Sequence, residues 1–386
     1  MDTFPEESLN LSAAEGFGYF PADINQTVDG GNYTIIRKIG WGRRSSTWLV
    51  TEGTGSAMDY WAMQVFTVAE SRDVESRLLP ILANEISRVG TWITFPNFQT
   101  SFWERSVHGE HLCFIMSQYG DQLSDVLRDA TNSGRRGLPV HVVQYTAGVI
   151  LDILKPLHKQ KVLHGGVELG NIVFWPASYG NELEEYLDKF PPATTQIIDG
   201  LPVVLSQPLN NYGAEWDAPM DEVANWMLIL AGFGHSMYYL VSPYTPEVGL
   251  DYSFAPETLL SVPTCRLATD AWMLGCLVFQ LLTGKRLFNS TSITASERLG
   301  EVRDILRADI PDIWTEDANA QALSSLNPST KNLEQRLKEV LTPDEFSAAY
   351  AFLQRCLVLD PAGRASAKDL KADEWVQAAA KCSCCY

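Results

Sequence analysis

Three short runs near the start of the chain are rich in aromatic and β-branched residues. The runs cover residues 33–36, 46–50 and 60–66, and turns that contain glycine separate them. Such runs between turns are typical of strands, and short turns between strands predict antiparallel pairing. Residues 113–116 form a continuous apolar run and predict one more buried strand. We therefore expect the first part of the chain to form a small antiparallel sheet.

The spacing of apolar positions becomes helical from about residue 140 onward. Residues 142–157 are amphipathic with a period near 3.6 residues. Residues 269–282 are apolar nearly all round, which predicts a helix buried in the centre of a domain. Thr269 is the predicted N-cap of that helix and Gly284 its predicted stop. A sheet-rich part followed by a helical part predicts an α+β fold of two lobes with a cleft between them.

The pattern divides the chain into four segments. We expect an extended lead-in at residues 1–27, where periodic apolar positions are few, a small lobe at residues 28–120 and a larger helical lobe at residues 121–378. Residues 379–386 form a cysteine-rich tail. The helical lobe contains a polar insertion at about residues 175–220. Because a structureless loop of this length is uncommon inside a domain, we expect the insertion to be functional or partly structured.

The charge of the chain limits its partners. Its 386 residues carry 29 Lys and Arg against 47 Asp and Glu, a formal net charge of −18. Nucleic-acid binding depends on clustered Lys and Arg, so we expect no direct nucleic-acid binding, and a basic partner suits the chain better.

The longest apolar stretch, residues 226–241, is interrupted by glycine, histidine and serine and is too short to span a membrane. The acidic start is unlike a signal peptide, and the sequence predicts an intracellular protein of the cytoplasm or nucleus.

The seven cysteines form no disulfide framework, because their number is odd and their spacing irregular. Cys382, Cys384 and Cys385 crowd the last five residues. The usual prenylation signal needs a cysteine fourth from the end, where Ser383 stands. Acylation or prenylation of the double cysteine and binding of a soft metal are alternatives. We interpret the segment as a disordered tail with reactive thiols and predict no metal site.

A Gly-x-Gly turn, Gly40-Trp41-Gly42, joins two of the predicted strands. Glycines in such a turn let backbone N–H groups approach a phosphate closely, although the motif alone is more typical of a tight hairpin. Further motifs follow it in order. They are Ala62-Met63-Gln64, a predicted helix over residues 78–89 with Glu85, the segment from His164 to Asn171, Ala231-Gly232-Phe233-Gly234, Ala255-Pro256-Glu257, Asp270 and Arg364. Their order and spacing resemble the protein-kinase signature set.

Within that superfamily the chain most resembles the SR-protein kinases, in particular their fungal members. Lys38-Ile39-Gly40-Trp41-Gly42 is similar to that family's Lys-Leu-Gly-Trp-Gly, and Ser45 stands at the third glycine position, as it does there. The resemblance extends over about residues 18–375. It implies a bilobal protein-kinase-like fold with a small antiparallel N-lobe and a larger helical C-lobe, and it places the chain in the serine/threonine kinase class.

The resemblance also implies a role for each matching residue. The nucleotide-binding positions are Gly40, Gly42, Ser45, Ala62, Gln64 and Met116. Glu85, His164 and Asn171 are retained from the catalytic apparatus. Asp270 is expected to bind the backbone of the catalytic loop, and Glu257 is expected to pair with Arg364 in the helical lobe.

The sequence departs from the family pattern at the positions that bind phosphate, accept the substrate proton and bind the metal ion. Gln64 replaces the lysine that holds the α and β phosphates, and Gly166 replaces the acidic residue that accepts the substrate proton. Glu168 replaces a lysine that faces the transferred phosphate, and Gly232 replaces the metal-binding aspartate. Loss of a general base typically costs about 10²–10⁴ in rate, and loss of the metal ligand and phosphate lysine removes most of the electrostatic stabilisation. We therefore expect the chain to lack a complete group of kinase catalytic residues.

The sequence thus predicts a pseudokinase that acts as a binding, scaffolding or regulatory protein and needs no cofactor. The alternatives are a serine/threonine kinase with residual, Mg²⁺- and ATP-dependent activity, or a kinase fold used for other chemistry. Asp199 also precedes a glycine and could be mistaken for the metal ligand, but we interpret it as part of a turn in the insertion.

The resemblance further implies a protein partner with a basic or Arg-Ser-rich segment, because the SR-protein kinases hold such segments in an acidic groove. The candidate contributors here are Glu297, Glu301, Asp304, Asp309 and Asp312. The alternative is that these carboxylates form an ordinary solvated face. The oligomeric state is left open.

Overall fold

The computed structural model describes residues 6–53, 58–82, 97–175, 181–192, 194–238, 255–288, 294–323, 327 and 330–381. Contacts divide the chain into two compact units. The first unit comprises residues Met1–Gln122 and Val173–Gly213, and the second comprises Leu123–Ile172 and Ala214–Tyr386. Each unit is described by itself below.

The strands occur mainly in the first half of the chain. In chain order they are β1 (Thr27–Val28), β2 (Tyr33–Gly42), β3 (Ser45–Glu52), β4 (Asp59–Phe66), β5 (Phe98–Ser106), β6 (Gly109–Met116), β7 (Val162–Leu163), β8 (Ile172–Phe174), β9 (Thr195–Ile198), β10 (Leu201–Val204), β11 (Leu228–Leu230) and β12 (Met237–Tyr238).

Helices make up most of the second unit. In chain order the described helices are α1 (Val68–Arg77), α2 (Leu123–Asn132), α3 (Val140–Lys159), α4 (Asn181–Lys189), α5 (Met220–Val223), α6 (Leu267–Thr283), α7 (Ala295–Leu306), α8 (Ala318–Gln321), α9 (Leu333–Lys338), α10 (Pro343–Cys356), α11 (Ala367–Lys371) and α12 (Glu374–Gln377). The predicted α+β class is therefore confirmed.

A six-stranded antiparallel sheet forms the centre of the first unit. Its strand order is β1-β2-β3-β4-β6-β5, so the predicted strands pair as neighbours, although α1 and β5 separate β4 from β6 in the chain. One face carries the main apolar core, in which Trp48, Met63 and Ile115 are buried. These three residues are cross-strand partners, and such partners share a face of the sheet.

The insertion groups with the sheet and not with the helices. We expected it within the helical lobe, but contacts assign residues 173–213 to the first unit. The hairpin of β9 and β10 buries Val203 against Leu9 and Tyr19, and Val204 joins the sheet core. Asp199 lies in the turn of this hairpin, where it accepts a hydrogen bond from Ser8. The segment is held there because its apolar residues are buried against the sheet.

The lead-in is packed and not merely extended. Tyr19 and Phe20 are buried, and Glu6 and Glu7 are almost completely enclosed. Both carboxylates pair with the buried ammonium group of Lys38, whose Nζ lies 2.6 Å from Glu6 Oε2 and also contacts Glu7. Burial raises the pKa of Glu7, and the charge of Lys38 opposes that shift. Because charged residues seldom predict burial, the sequence pattern did not indicate this contact.

Helix α6 lies at the centre of the second unit and packs against α3. It is buried on nearly all sides, as the sequence predicted. Its N-cap is Arg266 and not Thr269, because the Thr269 hydroxyl lies one turn inside, where it accepts from Arg266 N and donates to Glu257. Gly284 ends the helix with a positive φ of 68°. No helix within the described residues is long and apolar enough to cross a membrane.

Candidate nucleotide site

The Gly-x-Gly turn is a tight hairpin between β2 and β3. Gly42 pairs with Ser45, and no atom lies within 4 Å of the Cβ position at Gly40 or Gly42. The hydroxyl of Tyr19 donates to the carbonyl oxygens of Gly42 and Arg43, at 3.0 and 2.9 Å. The lead-in therefore anchors the hairpin, and burial raises the pKa of the tyrosine hydroxyl that makes the contact.

Gln64 stands in β4, at the position where the resemblance calls for a lysine. Its Nε2 donates a hydrogen bond of 2.8 Å to the Ser45 hydroxyl. The contact ties β4 to the start of β3, which is its direct neighbour in the sheet. This side chain supplies no positive charge for a phosphate, and one of its donors is already used internally.

A second apolar cluster lies on the sheet face that bears Ala62 and Met116, two of the expected nucleotide-binding residues. Leu49 pairs with Ala62, and Ala62 pairs with Met116, so the three side chains share this face. Two residues of the insertion, Leu183 and Leu209, are completely buried in a cluster with Leu49. The half-buried hydrophobic residues that pack against the cluster are Ile36, Ile39, Tyr60, Tyr186 and Leu187. The insertion therefore covers part of this face.

Arg37 is a buried cation on the same face, because it pairs with Leu49 across the β2–β3 ladder. It is 1% exposed, and one of its terminal nitrogens donates to the carbonyl oxygen of Phe190 in the insertion. Its other guanidinium nitrogens have no hydrogen-bond partner within the described part of the chain. Burial lowers the pKa of this group. The sequence reasoning missed Arg37, since an Arg-Lys pair within a strand is expected to be exposed.

In the second unit, Asp270 organises the loop that follows β7. Its carboxylate accepts hydrogen bonds from the backbone N–H groups of His164 and Gly165, at 2.9 and 2.8 Å. The imidazole of His158 lies 2.9 Å from the same carboxylate. His164 is fully buried, and burial lowers its pKa to about 4, so the ring is neutral at physiological pH. This histidine is therefore part of the packed support of the loop.

The loop around Asn171 is closely packed at Gly166 and Gly232, the positions where the resemblance implies a catalytic base and a metal ligand. Asn171 Nδ2 donates to the carbonyl oxygen of Gly166 at 2.9 Å and lies 3.4 Å from Glu168 Oε1. A Cβ at Gly232 would lie 2.2 Å from the Asn171 side chain, and a Cβ at Gly166 would lie 2.6 Å from the Gly232 carbonyl oxygen. The retained asparagine thus occupies the space that an aspartate at position 232 would need.

Glu257 and Arg364 form a buried, bidentate ion pair. The two N–O distances are 2.8 and 2.6 Å, and both side chains are almost completely buried. The remaining donors of Arg364 bind the backbone carbonyls of Val358, Leu359 and Ala268. This pair joins the 3₁₀ turn Pro256–Thr258 to the segment before α11.

In the first unit, Gln64 offers no cation at the position where the resemblance implies a lysine. In the second unit, Gly166 and Gly232 have no side chain, and Asn171 is hydrogen-bonded within the loop. Within the described ranges no group of three or more His, Cys, Asp or Glu side chains is arranged to hold a metal ion. Glu85 and the three terminal cysteines lie outside the described residues.

The five carboxylates that could contribute to an acidic groove differ in how far they are free to contact a basic segment. Glu297 forms a capping box with Thr294 at the start of α7, and Asp304 pairs with Arg303 at 2.9 Å. Glu301 is half-buried. Asp309 and Asp312 are exposed. Glu297 is also exposed, but its carboxylate is hydrogen-bonded in the capping box, which leaves Asp309 and Asp312 as the exposed candidates outside that cap.

Comparisons with known proteins agree with this fold. Residues 221–376 match the family model of the Protein kinase domain. The chain is 24% identical over 311 residues to the serine/threonine-protein kinase SRPK of Physarum polycephalum, an alignment that covers 74% of this chain and 68% of that protein. It is 29% identical over 161 residues to SRSF protein kinase 3 of Mus musculus, covering 40% of this chain and 27% of that protein.

A third similar protein, cyclin-dependent kinase G-1 of Oryza sativa subsp. indica, is 30% identical over 161 residues, which cover 38% of this chain and 22% of that protein. The chain thus spans about two thirds of one of these relatives and about a quarter of the other two. The fold is that of a protein kinase, and its relatives include SR-protein kinases at low identity.

Proposed function

We propose that this protein is a pseudokinase of the SR-protein-kinase type, which binds a partner protein and transfers no phosphoryl group. The observation that carries the proposal is the packing of Asn171 into the space beside Gly232. A kinase places a metal-binding carboxylate at that position, and here the space holds an uncharged amide. The nearby charge is the carboxylate of Glu168, which would repel a nucleotide phosphate.

The first unit supports the same proposal. An ATP molecule brings about four negative charges, and a kinase offsets them with a lysine and metal ions. Gln64 supplies no charge, and Leu183 and Leu209 cover part of the face that bears Ala62 and Met116, two nucleotide-binding positions implied by the resemblance. Neither the charged end nor the apolar end of a nucleotide meets its usual partners.

We expect Mg²⁺ with ATP to leave the melting temperature unchanged at millimolar nucleotide. A ligand present at 100 times its Kd would stabilise the folded chain by about 2.7 kcal/mol, so binding would be visible by differential scanning fluorimetry. Mg²⁺ alone and Mn²⁺ with ATP are the controls. A Mg²⁺-dependent shift that saturates at micromolar ATP would overturn the proposal.

The alternative is a serine/threonine kinase with residual activity, and the names of the similar proteins favour it. Incubation of the purified chain with labelled ATP, Mg²⁺ or Mn²⁺ and an Arg-Ser-rich peptide separates the two functions. Incorporation of label above that of a heat-denatured sample would establish the kinase.

For the partner we propose a basic, Arg-Ser-rich protein segment that binds near Asp309 and Asp312, in a chain located in the cytoplasm or nucleus. The support is charge complementarity, since these exposed carboxylates lie in a chain with a net charge of −18. We propose no direct nucleic-acid partner and leave the oligomeric state open.

We expect an Arg-Ser peptide to bind more weakly as salt rises, because exposed charges are screened over about 8 Å at physiological ionic strength. Asp309→Lys and Asp312→Lys should each slow association more than they speed dissociation. Asp129→Lys, at an exposed position of α2, makes the same change of charge and is the matched control. Surface plasmon resonance at low and high salt measures both rates. Affinity that is absent at low salt, or that salt leaves unchanged, would contradict the docking proposal.

A further inference from the structure

A pocket of about 660 Å³ lies in the second unit, at the C-terminal end of α3. We call it the α3–α6 pocket. Its walls come from the last turn of α3, the first turn of α6 and the segment that leads into α11. The residues that line it are Lys155, Pro156, His158, Lys159, Leu267, Ala268, Ala271, Arg364, Ala365, Ser366, Ala367 and Lys368. Nothing in the proposed function uses this pocket.

The inner surface of the α3–α6 pocket is apolar. Pro156, Leu267, Ala268 and Ala271 contribute aliphatic carbon atoms from two helices. Arg364 also lines the pocket, but its guanidinium is bound to Glu257 and to three backbone carbonyls. The base of the pocket therefore offers a ligand apolar contact and no free charge.

The rim of the same pocket is basic. Lys155 and Lys159 are four residues apart and so lie on one face of α3, and Lys368 projects from α11; all three are exposed. The side-chain ammonium groups of Lys159 and Lys368 make no hydrogen bond or ion pair within the described residues. Lys155 lies 4.0 Å from Asp152, which is also bound by Lys371 at 2.6 Å.

None of the lining residues is Asp or Glu, although acidic residues outnumber basic ones by 47 to 29 in the chain. His158 is the remaining titratable residue of the wall, and its Nε2 faces Asp270 inside the unit. The positive charge at the rim is therefore local, and the carboxylates that interact with these lysines, Asp152 and Asp369, lie outside the pocket lining.

We propose that the α3–α6 pocket binds a free amphiphile with an anionic head and an aliphatic tail, of the class of long-chain carboxylates. The tail would lie against Leu267, Ala268 and Ala271, and the carboxylate would meet the rim lysines. Pockets of roughly 300–1,000 Å³ that are mostly apolar with a few polar groups are typical of small-molecule sites. The proposal does not depend on whether the chain binds nucleotide.

The net charge of the chain favours a free amphiphile over a membrane surface. Attraction to an anionic leaflet contributes about 1 kcal/mol for each Lys or Arg near the surface, and three lysines act here against a formal net charge of −18. A single carboxylate in the pocket meets the lysines at short range, where the more distant carboxylates are screened.

Isothermal titration calorimetry of the full chain with decanoate, below its micelle concentration, tests the proposal. We expect saturable binding with one site per chain, and butyrate should bind at least about a hundredfold more weakly because it lacks six methylene groups. Decanol tests the contribution of the charged head. The chain should not sediment with vesicles that contain phosphatidylglycerol. Equal binding of butyrate and decanoate, or binding to vesicles alone, would overturn the proposal.

Two variants locate the site. Lys159→Gln with Lys368→Gln should weaken decanoate binding about tenfold, a magnitude expected from two exposed ion pairs. Ala268→Trp should abolish binding by filling the pocket. Lys331→Gln with Lys338→Gln removes the same charge from exposed lysines elsewhere in the unit and is the matched control.

A photoreactive decanoate analogue gives an independent readout, since it should label peptides that contain residues 267–271 or 364–368. Unchanged affinity in the Lys159 and Lys368 double variant, or labelling confined to other peptides, would show that the ligand binds elsewhere and would overturn the proposal.

Discussion

Replacing Glu257 with alanine is expected to lower the free energy of unfolding by about 3–5 kcal/mol, the usual cost of leaving one charge of a buried pair without its partner. Arg364 would keep three backbone acceptors but lose both carboxylate oxygens, which lie 2.8 and 2.6 Å away. Urea denaturation followed by tryptophan fluorescence measures the change. We expect the Glu257→Ala variant to be strongly destabilised but still folded at low temperature.

The exposed pair of Lys331 and Glu339 provides the control for this experiment. Its N–O distance is 2.6 Å, but its side chains are 65% and 46% exposed. Lys331→Ala should therefore change the free energy of unfolding by no more than about 1 kcal/mol. A Glu257→Ala variant as stable as the Lys331→Ala variant would mean that burial of the first pair contributes nothing.

The second large effect is expected at Gly166 and Gly232, the two glycines that stand where the resemblance implies aspartates. Gly166→Asp should destabilise the chain by about 1–3 kcal/mol, the range for overpacking, because its Cβ would lie 2.6 Å from a backbone oxygen. Gly232→Asp should also destabilise, since its Cβ requires Asn171 to leave its site and its φ of 78° disfavours a side chain.

Two neighbouring glycines give matched controls. The Cβ positions of Gly170 and Gly234 have no atom within 4 Å, and neither residue has a positive φ. Gly170→Asp and Gly234→Asp should be tolerated better than the substitutions at positions 166 and 232 by at least about 1 kcal/mol in thermal or urea denaturation. Equal effects at all four positions would contradict the packing argument.

Substitutions toward the kinase residue types would meet different obstacles. Gln64→Lys and Glu168→Lys replace one long side chain with another, whereas aspartates at positions 166 and 232 require Asn171 or the backbone to move. The space that those two aspartates would need is occupied in this chain.

The sequence by itself determined the α+β class, four of the six strands of the sheet (β2, β3, β4 and β6) and the central helix α6. The strands follow from local composition and the turns that bound them, and the helix follows from an all-apolar surface that must be buried whatever its neighbours are. Given the resemblance to kinases, the sequence also predicted which groups are missing, since Gly166 and Gly232 have no side chain to act as a base or a metal ligand and neither Gln64 nor Glu168 is a cation.

Only the tertiary structure decided what occupies the space that those groups left. The contact of Asn171 with Gly232 joins residues 61 positions apart in the chain, and no local pattern encodes it. The same holds for the cover formed by Leu183 and Leu209 and for the burial of Lys38 between Glu6 and Glu7. Charged residues predict a surface position when they are considered singly, and Lys38 is buried because two carboxylates distant in the chain offset the cost of its desolvation.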